Sequence, residues 1–237
     1  MTKQRVAIFG VLDSLAGRLV ELLAQLGKHE IVLFVSAKEL PKLNVHHEHS
    51  VRPHDRTEFP IGNSIYGKEI FIGDDYTNRL RGMQIEACFV IEDDQLLRSQ
   101  IIEKLNKDGI EVLSYVDPST VFGGDNRLGI GTIIFPNCYL GYKTDTEVGS
   151  IIQPGCLIEH HSVIGSYVNI NPRLTTGGFV KIEDFAQINI SVEIVNRIVI
   201  GRSTVIGAGS LVLENCDPRS LYYGRPAVFV RSISQNS

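Results

Sequence analysis

The chain has no tryptophan, two methionines and only four cysteines in 237 residues. Cys88, Cys138, Cys156 and Cys216 stand far apart with no C-x-x-C pair. That spacing argues against a zinc ribbon, a thioredoxin-type redox motif and a disulfide-rich secreted scaffold. No apolar run reaches the roughly 18 residues that a membrane span requires. Asp13 cuts the first apolar run too early for a signal peptide. A basic excess is also missing: 23 Lys+Arg against 27 Asp+Glu leave a net charge of -4. No basic excess is available to neutralise a phosphate backbone, so a nucleic-acid partner is not expected. A reduced, cytoplasmic protein with no membrane partner is the expectation that remains.

What is present is 43% apolar and 21% charged, the composition of a globular chain rather than a disordered one. It is unevenly spread. Residues 1–115 hold 14 Leu, 11 Ile and 8 Gly, whereas residues 116–237 hold 7 Leu, 16 Ile and 14 Gly. The change of diet predicts two architectures, with a boundary near residues 115 and 116.

Residues 1–115 read as alternating strand and helix. Residues 5–10, 31–35, 68–72, 87–91 and 110–115 are short apolar runs of strand length. Leu15, Leu19, Leu22, Leu23 and Leu26 recur at helical spacing before Gly27, and residues 95–107 repeat that periodicity before Gly109. The order predicts a small doubly wound parallel sheet, a Rossmann-like domain that binds ligands beyond the carboxyl ends of its strands. Its first turn, from Gly10 to Gly17, lacks the G-x-G-x-x-G spacing, and Asp13 would repel a pyrophosphate. Either a purely structural strand–turn–helix or a weak nucleotide-sugar cleft fits that turn. His46, His47, His49 and His54 cluster with Glu48 and Asp55, and His29 lies upstream. The segment is polar, proline-bearing and non-periodic, with no second cluster to complete a cage, so an exposed loop is expected rather than a metal site.

From Val116 the chain can be cut into seventeen consecutive hexads without a gap. Their first positions are Val, Ile, Leu or Phe in fifteen of the seventeen, where random placement would give about six. The fifth position is small or β-branched (Ser, Thr, Cys, Val or Ala) in all but three hexads, whose residues there are Asn126, Leu174 and Ile198. The second position is Gly in seven hexads and Asn in two, residues that tolerate a positive φ at a bend. One large inward residue, one small corner residue and one turn residue every six predict a triangular parallel β-helix. Three hexads make a coil of 18 residues, and coils stack at about 4.8 Å. Cys138, Cys156 and Cys216 occupy fifth positions and are expected as core packing.

The coil period says which residues stack. His160 should point outward with Tyr142 one coil before and Gly178 one coil after; His161 should lie between Lys143 and Phe179, and Asn169 between Ile151 and Gln187. Gly178 leaves space beside the imidazole, as a substrate or thioester would require. On spacing alone, two surface histidines without a function fit equally well.

A small α/β domain followed by such a helix, with Ile158-Glu-His-His-Ser-Val-Ile-Gly165 and Tyr167-Val-Asn-Ile-Asn-Pro172, resembles the bacterial sugar O-/N-acyltransferases. That family has a left-handed β-helix and includes sialic-acid O-acetyltransferases and UDP-4-amino-sugar N-acetyltransferases. Thr176-Gly-Gly-Phe-Val-Lys-Ile182, Ile206-Gly-Ala-Gly-Ser-Leu-Val212 and Tyr223-Gly-Arg-Pro-Ala227 extend the likeness over nearly the whole chain. The resemblance implies a Rossmann-like domain over residues 1–115, the β-helix acyltransferase domain over 116–217 and a C-terminal tail over 218–237. It implies an acetyl-CoA-dependent acetyltransferase acting on an amine or hydroxyl of a sugar or nucleotide-sugar, assembled as a homotrimer, with no metal. His160 falls on the family's general base, a role that suits imidazole near neutral pH. His161 and Glu159 join it, Asn169, Gly178 and Ala208 would meet acetyl-CoA, and Gly10 and Ser14 would meet the acceptor.

Three departures stand out. The family's acidic residue after the base is His161 here, a second histidine that contacts the cofactor is Asn169, and the glycine-rich turn for a UDP-sugar is absent. The alternatives are a different acyl donor or acceptor on the same machinery, or a catalytically silent trimeric scaffold. Zinc hydratases on the same solenoid need three histidines, whereas only His160 and His161 lie beyond residue 115.

Overall fold

The computed structural model describes residues 3–10, 14–37 and 64–234. The cluster of His46, His47, His49 and His54 with Glu48 and Asp55 lies outside them. Two compact units divide the chain: Met1–Glu92 with Leu105–Glu111, and Asp93–Lys104 with Val112–Ser237.

The first unit follows the predicted alternation. Its elements are β1 (Gln4–Phe9), α1 (Ser14–Leu26), β2 (His29–Ser36), β3 (Ser64–Ile65), β4 (Lys68–Ile72), α2 (Tyr76–Gly82), β5 (Ala87–Val90) and β6 (Glu111–Val112); the helix α3 (Gln95–Lys107) falls in the second unit as far as Lys104. The sheet order is β3-β4-β2-β1-β5-β6. β1 is parallel to β2 and β5, and β2 to β4. Val6, Ala7, Ile8 and Phe9 are all fully buried, as expected of a strand covered on both faces. Two expectations change. The sheet is mixed, because β3 runs antiparallel to β4. Tyr66 and Gly67, at φ of 50° and 66°, make the two-residue turn that right-twisted hairpin strands favour. The run 110–115 is not one strand: Glu111–Val112 ends the first sheet, while Tyr115–Val116 pairs with Ile133–Ile134 in the second unit.

The second unit is the triangular parallel β-helix that the hexads predict. Two-residue strands recur every six residues and pair in parallel with the strand 18 residues away, as Ile152↔Ile170, Leu140↔Ile158 and Ile164↔Ile182 show on the three faces. Apart from Thr146 and Thr176, first-position residues from Ile134 to Val212 are buried in one core, together with the fifth-position Cys138, Cys156, Val168, Ala186 and Cys216. Burial pushes the Cys88 and Cys216 thiols up to about 12, so they act as packing groups. Phe122 and Leu128, first-position residues of the opening hexads, are 38% and 37% exposed, as the ends of a stack must be. At the other end Ser220–Gly224 adds a parallel strand beside Val205–Ile206 and turns back through Ala227–Ser232.

The corner geometry corrects the reading of the glycines. Every sixth residue from Asp125 to Gly209 has φ between 54° and 73°, and these are fourth positions, not second. The second-position glycines answer to crowding instead. A Cβ on Gly141 would lie 2.5 Å from the His160 backbone nitrogen in the next coil. Gly10, at φ 106°, meets a similar limit in the first unit, where a Cβ would lie 2.9 Å from the Ile91 carbonyl oxygen. Among the described residues, no helix is long and apolar enough to cross a membrane.

Two isoleucines test the core. Ile182 is fully buried and Ile190 is 48% exposed. Ile182→Ala is expected to cost about 2–5 kcal/mol, and Ile190→Ala under about 1 kcal/mol, read as shifts in the urea midpoint. In the first unit, burial and then the charge of Lys28 hold the His29 imidazole below its usual range. Its Nδ1 is buried with no hydrogen-bond partner among the described residues. The unfolded chain therefore takes up a proton at a higher pH than the folded chain. Stability is kept above the ordinary histidine range and is lost as pH falls toward the lower folded value. The drop in urea midpoint between neutral and mildly acidic buffer should be smaller in His29→Gln than in the wild type.

Candidate active site

The turn that carries the histidines joins Leu157–Ile158 to Val163–Ile164 on adjacent faces of the prism. Ile158 is buried at a first position and Ser162 at a fifth, so Glu159, His160 and His161 form the corner between two anchored residues. His161 holds the left-handed conformation, with φ 57°. Its N–H donates to the Tyr142 carbonyl at 2.8 Å, and the His160 carbonyl accepts from Phe179 N–H at 2.9 Å. The turn is thus tied to the coil on either side.

Both imidazoles are placed by their neighbours. The His160 ring covers Gly178: a Cβ there would lie 2.5 Å from His160 Cε1 and 2.7 Å from Nε2. The space expected beside Gly178 is therefore occupied by the His160 ring itself. His161 stacks on Phe179 with ring centroids 4.8 Å apart and planes at 11°. Tyr142 meets His161 edge-on at 5.7 Å, and the Arg197 guanidinium lies 4.7 Å from the Phe179 centroid. The two rings meet at Nδ1: His160 Nδ1 and His161 Nδ1 are 3.1 Å apart. His160 Nε2 makes no hydrogen bond to the described residues. Glu159 accepts from the His160 backbone N–H at 3.2 Å, so its carboxylate braces the turn rather than the ring. Tyr142, Leu157 and Phe179 remain 38–46% exposed around the pair.

Of the residues singled out from the sequence, Glu159, His160, His161 and Gly178 come together at this corner. Asn169 does not join them. It lies on a different face, between Ile151 and Gln187 as predicted, and is buried. Ala208 is exposed in the turn after Val205–Ile206, at another corner of the prism. Gly10 and Ser14 belong to the first unit, at the end of β1 and the start of α1. Among the described residues there is no group of three or more His, Cys, Asp or Glu able to hold a metal ion.

The partner of Asn169 went unnoticed in the sequence. Arg98 is fully buried on α3; its Nη2 donates to Asn169 Oδ1 at 2.7 Å and to the Tyr167 carbonyl at 3.0 Å, and its Nε to the Gly149 carbonyl at 2.8 Å. Asn169 Nδ2 donates in turn to the Asp93 carbonyl at 2.9 Å. A signal was present. Arg98, Ile101, Ile102 and Leu105 share one helical stripe, so the arginine occupies an apolar position.

No protein-family model matches the chain. Over 144 residues, 54% of this chain, it is 26% identical to the bifunctional protein GlmU of Bartonella quintana (strain Toulouse). The chain spans less than a third of the length of the curated relatives it matches. Two solved structures share its fold. PerB from Caulobacter crescentus, in complex with CoA and GDP-perosamine, superposes with a TM-score of 0.81 at 20% identity, covering 97% of this chain and 99% of that one. The acetyltransferase domain of PglB from Neisseria gonorrhoeae FA1090 gives 0.76 at 17% identity, covering 96% and 100%. The fold is therefore the expected one, a small α/β unit followed by a left-handed parallel β-helix.

The Arg98 contacts predict a stability effect without a change at the histidine corner. Asn169→Ala removes an acceptor from a buried guanidinium and should cost about 1–3 kcal/mol in chemical denaturation.

Proposed function

We propose that this chain is an acetyl-CoA-dependent acyltransferase that moves an acetyl group to an amine or hydroxyl of a sugar or nucleotide-sugar, with His160 as general base. The observation that carries this reading is the His160 ring, seated over Gly178, tied at Nδ1 and carrying an Nε2 with no hydrogen bond to the described residues. An imidazole held in that way can accept a proton at one defined atom. The fold neighbour PerB binds CoA and GDP-perosamine, a thioester carrier and a nucleotide-sugar, which supports the same pair of substrate classes here.

In this reading the acceptor nitrogen or oxygen attacks the thioester carbonyl carbon as Nε2 takes its proton. The new C–N or C–O bond forms, the C–S bond breaks, and the proton passes to the departing thiolate. The products are the acetylated sugar and CoA. The Gly178 backbone, with no side chain between it and the imidazole, is the main chain this reading assigns to the thioester. Tyr142, Leu157 and Phe179 offer partly exposed apolar surface to the pantetheine arm or to a neighbouring subunit.

Asn169 enters as a support of the fold rather than as a contact to acetyl-CoA, because its amide is engaged by Arg98 and Asp93. A homotrimer fits a site open on one side at a prism corner, where a second subunit would supply the missing wall and could bring its Ala208 corner near. Gly10, just after β1, and Ser14, at the start of α1, are the positions in the first unit that this reading assigns to the acceptor. Four free, buried cysteines accord with a reducing cytoplasm.

The test is CoA release from acetyl-CoA against a panel of amino sugars and their nucleotides. His160→Ala should lower turnover by about 10²–10⁴ while leaving assembly and CoA binding intact. Near-normal turnover by that variant would overturn the assignment. Absence of both acetyl-CoA binding and transfer in the wild type would leave the scaffold.

A further inference from the structure

The contact between the two rings carries more than the position of His160. Two imidazole nitrogens 3.1 Å apart form a hydrogen bond only when one holds a proton and the other a lone pair. Either His160 Nδ1 donates, leaving its Nε2 free to act as a base, or His161 Nδ1 donates and His160 carries its proton on Nε2. We propose that His161 is a positioning residue: its Nδ1 accepts the His160 Nδ1 proton, fixes the tautomer of His160 and steadies the imidazolium that forms there. This rests on the reading of His160 as the base.

The base role of His160 requires that direction, and the two rings stand in different columns of the coil stack. His161 belongs to the column Asp125, Lys143, His161, Phe179 and Arg197, all left-handed residues of successive coils. Lys143 lies in the coil before it, with its Nζ 5.3 Å from the Tyr142 ring centroid and 3.8 Å from Asp125. Arg197 lies beyond Phe179, on whose ring His161 stacks. Asp125 answers the Lys143 charge within the same column. His160 has neither neighbour in its own column, which runs Tyr142, His160, Gly178 and Asn196, and the Glu159 carboxylate sits on its own backbone N–H. With Nε2 of His160 as the base, its Nδ1 keeps the proton and His161 Nδ1 is the acceptor.

The stack gives His161 its precision. Phe179 presents a flat face to the ring, and its own N–H is held by the His160 carbonyl. One residue of the next coil thus touches both histidines, meeting the His160 ring edge-on at 5.3 Å. The device stands where an orienting acidic residue would give a full negative charge. A neutral imidazole gives a weaker acceptor and adds no charge of its own to the corner.

The experiment reads tautomers and pH profiles separately. Long-range ¹H–¹⁵N spectra of the full-length protein, labelled in histidine and assigned with His160→Gln and His161→Phe, should show His160 protonated at Nδ1 and His161 at Nε2 above neutral pH. His161→Phe keeps the stack and removes the acceptor. Its kcat should fall about 10- to 100-fold with KM for acetyl-CoA and melting temperature little changed. The acid limb of its kcat profile should move to lower pH, because the imidazolium loses its acceptor. His161→Glu should recover much of kcat and move that limb to higher pH than the wild type. His160 protonated at Nε2, or an acid limb that stays in place in His161→Phe, would overturn the proposal. The spectra need no turnover, so an active His160→Ala would remove the base assignment while the tautomer result stood on its own.

Discussion

One backbone hydrogen bond, repeated at each corner of the prism, sets the geometry of the second unit. A left-handed residue at the fourth hexad position turns its N–H toward the carbonyl nineteen residues earlier: Lys143 to Gly124, His161 to Tyr142, Phe179 to His160, Arg197 to Gly178. The offset of nineteen is one coil plus one residue, so each bond locks the coil length as well as the bend. Non-glycine residues enter this region at a steric cost. Here Tyr167, Phe185 and Arg173 accept it as readily as Gly149, because the neighbouring coil satisfies the donor that the turn exposes. Once the coil is held at 18 residues, first positions must stack on first positions and the isoleucine core follows.

That constraint explains both what the sequence revealed and what it hid. The inward residue leaves a trace because only large aliphatics fill the prism, so Ile134 to Val212 are visible as a period of six. The left-handed residue leaves almost none. Its conformation is imposed by the coil below, and any side chain that points outward suits it. The glycines visible at second positions do not make the bend; their constraint is the backbone of the next coil, 2.5 Å from a Cβ at Gly141. Periodicity reports volume well and backbone conformation poorly.

The first unit shows the converse limit. Its strands were legible because buried parallel strands are continuous apolar runs, as in β1 and β5. The run 110–115 was legible as extended chain but not as two strands in two sheets, since partner identity is not a property of the run. Arg98 was hidden for a related reason. A charged residue on an apolar stripe reads as an interruption until its acceptors are known, and these lie 51 to 71 residues further along the chain. Asn169, which looked like a substitution at an active-site position, is from this side the residue that makes a buried arginine tolerable.

The histidine corner joins these lines. Adjacent residues in a strand point to opposite faces, so in extended chain His160 and His161 would diverge. The left-handed turn at His161 brings their Nδ1 atoms to 3.1 Å, a contact that neither residue's chemistry would produce alone. The same turn places His161 in a column of stacked side chains, where Phe179 holds its plane, with Lys143 one coil before and Arg197 two coils after. Gly178, in the other column, leaves the surface of its coil open for the His160 ring to cover. A period chosen for filling a prism thus also sorts two neighbouring histidines into different columns. In the proposed pair that sorting seats His160 over Gly178 and pins His161 on Phe179, so that the two rings meet only at Nδ1.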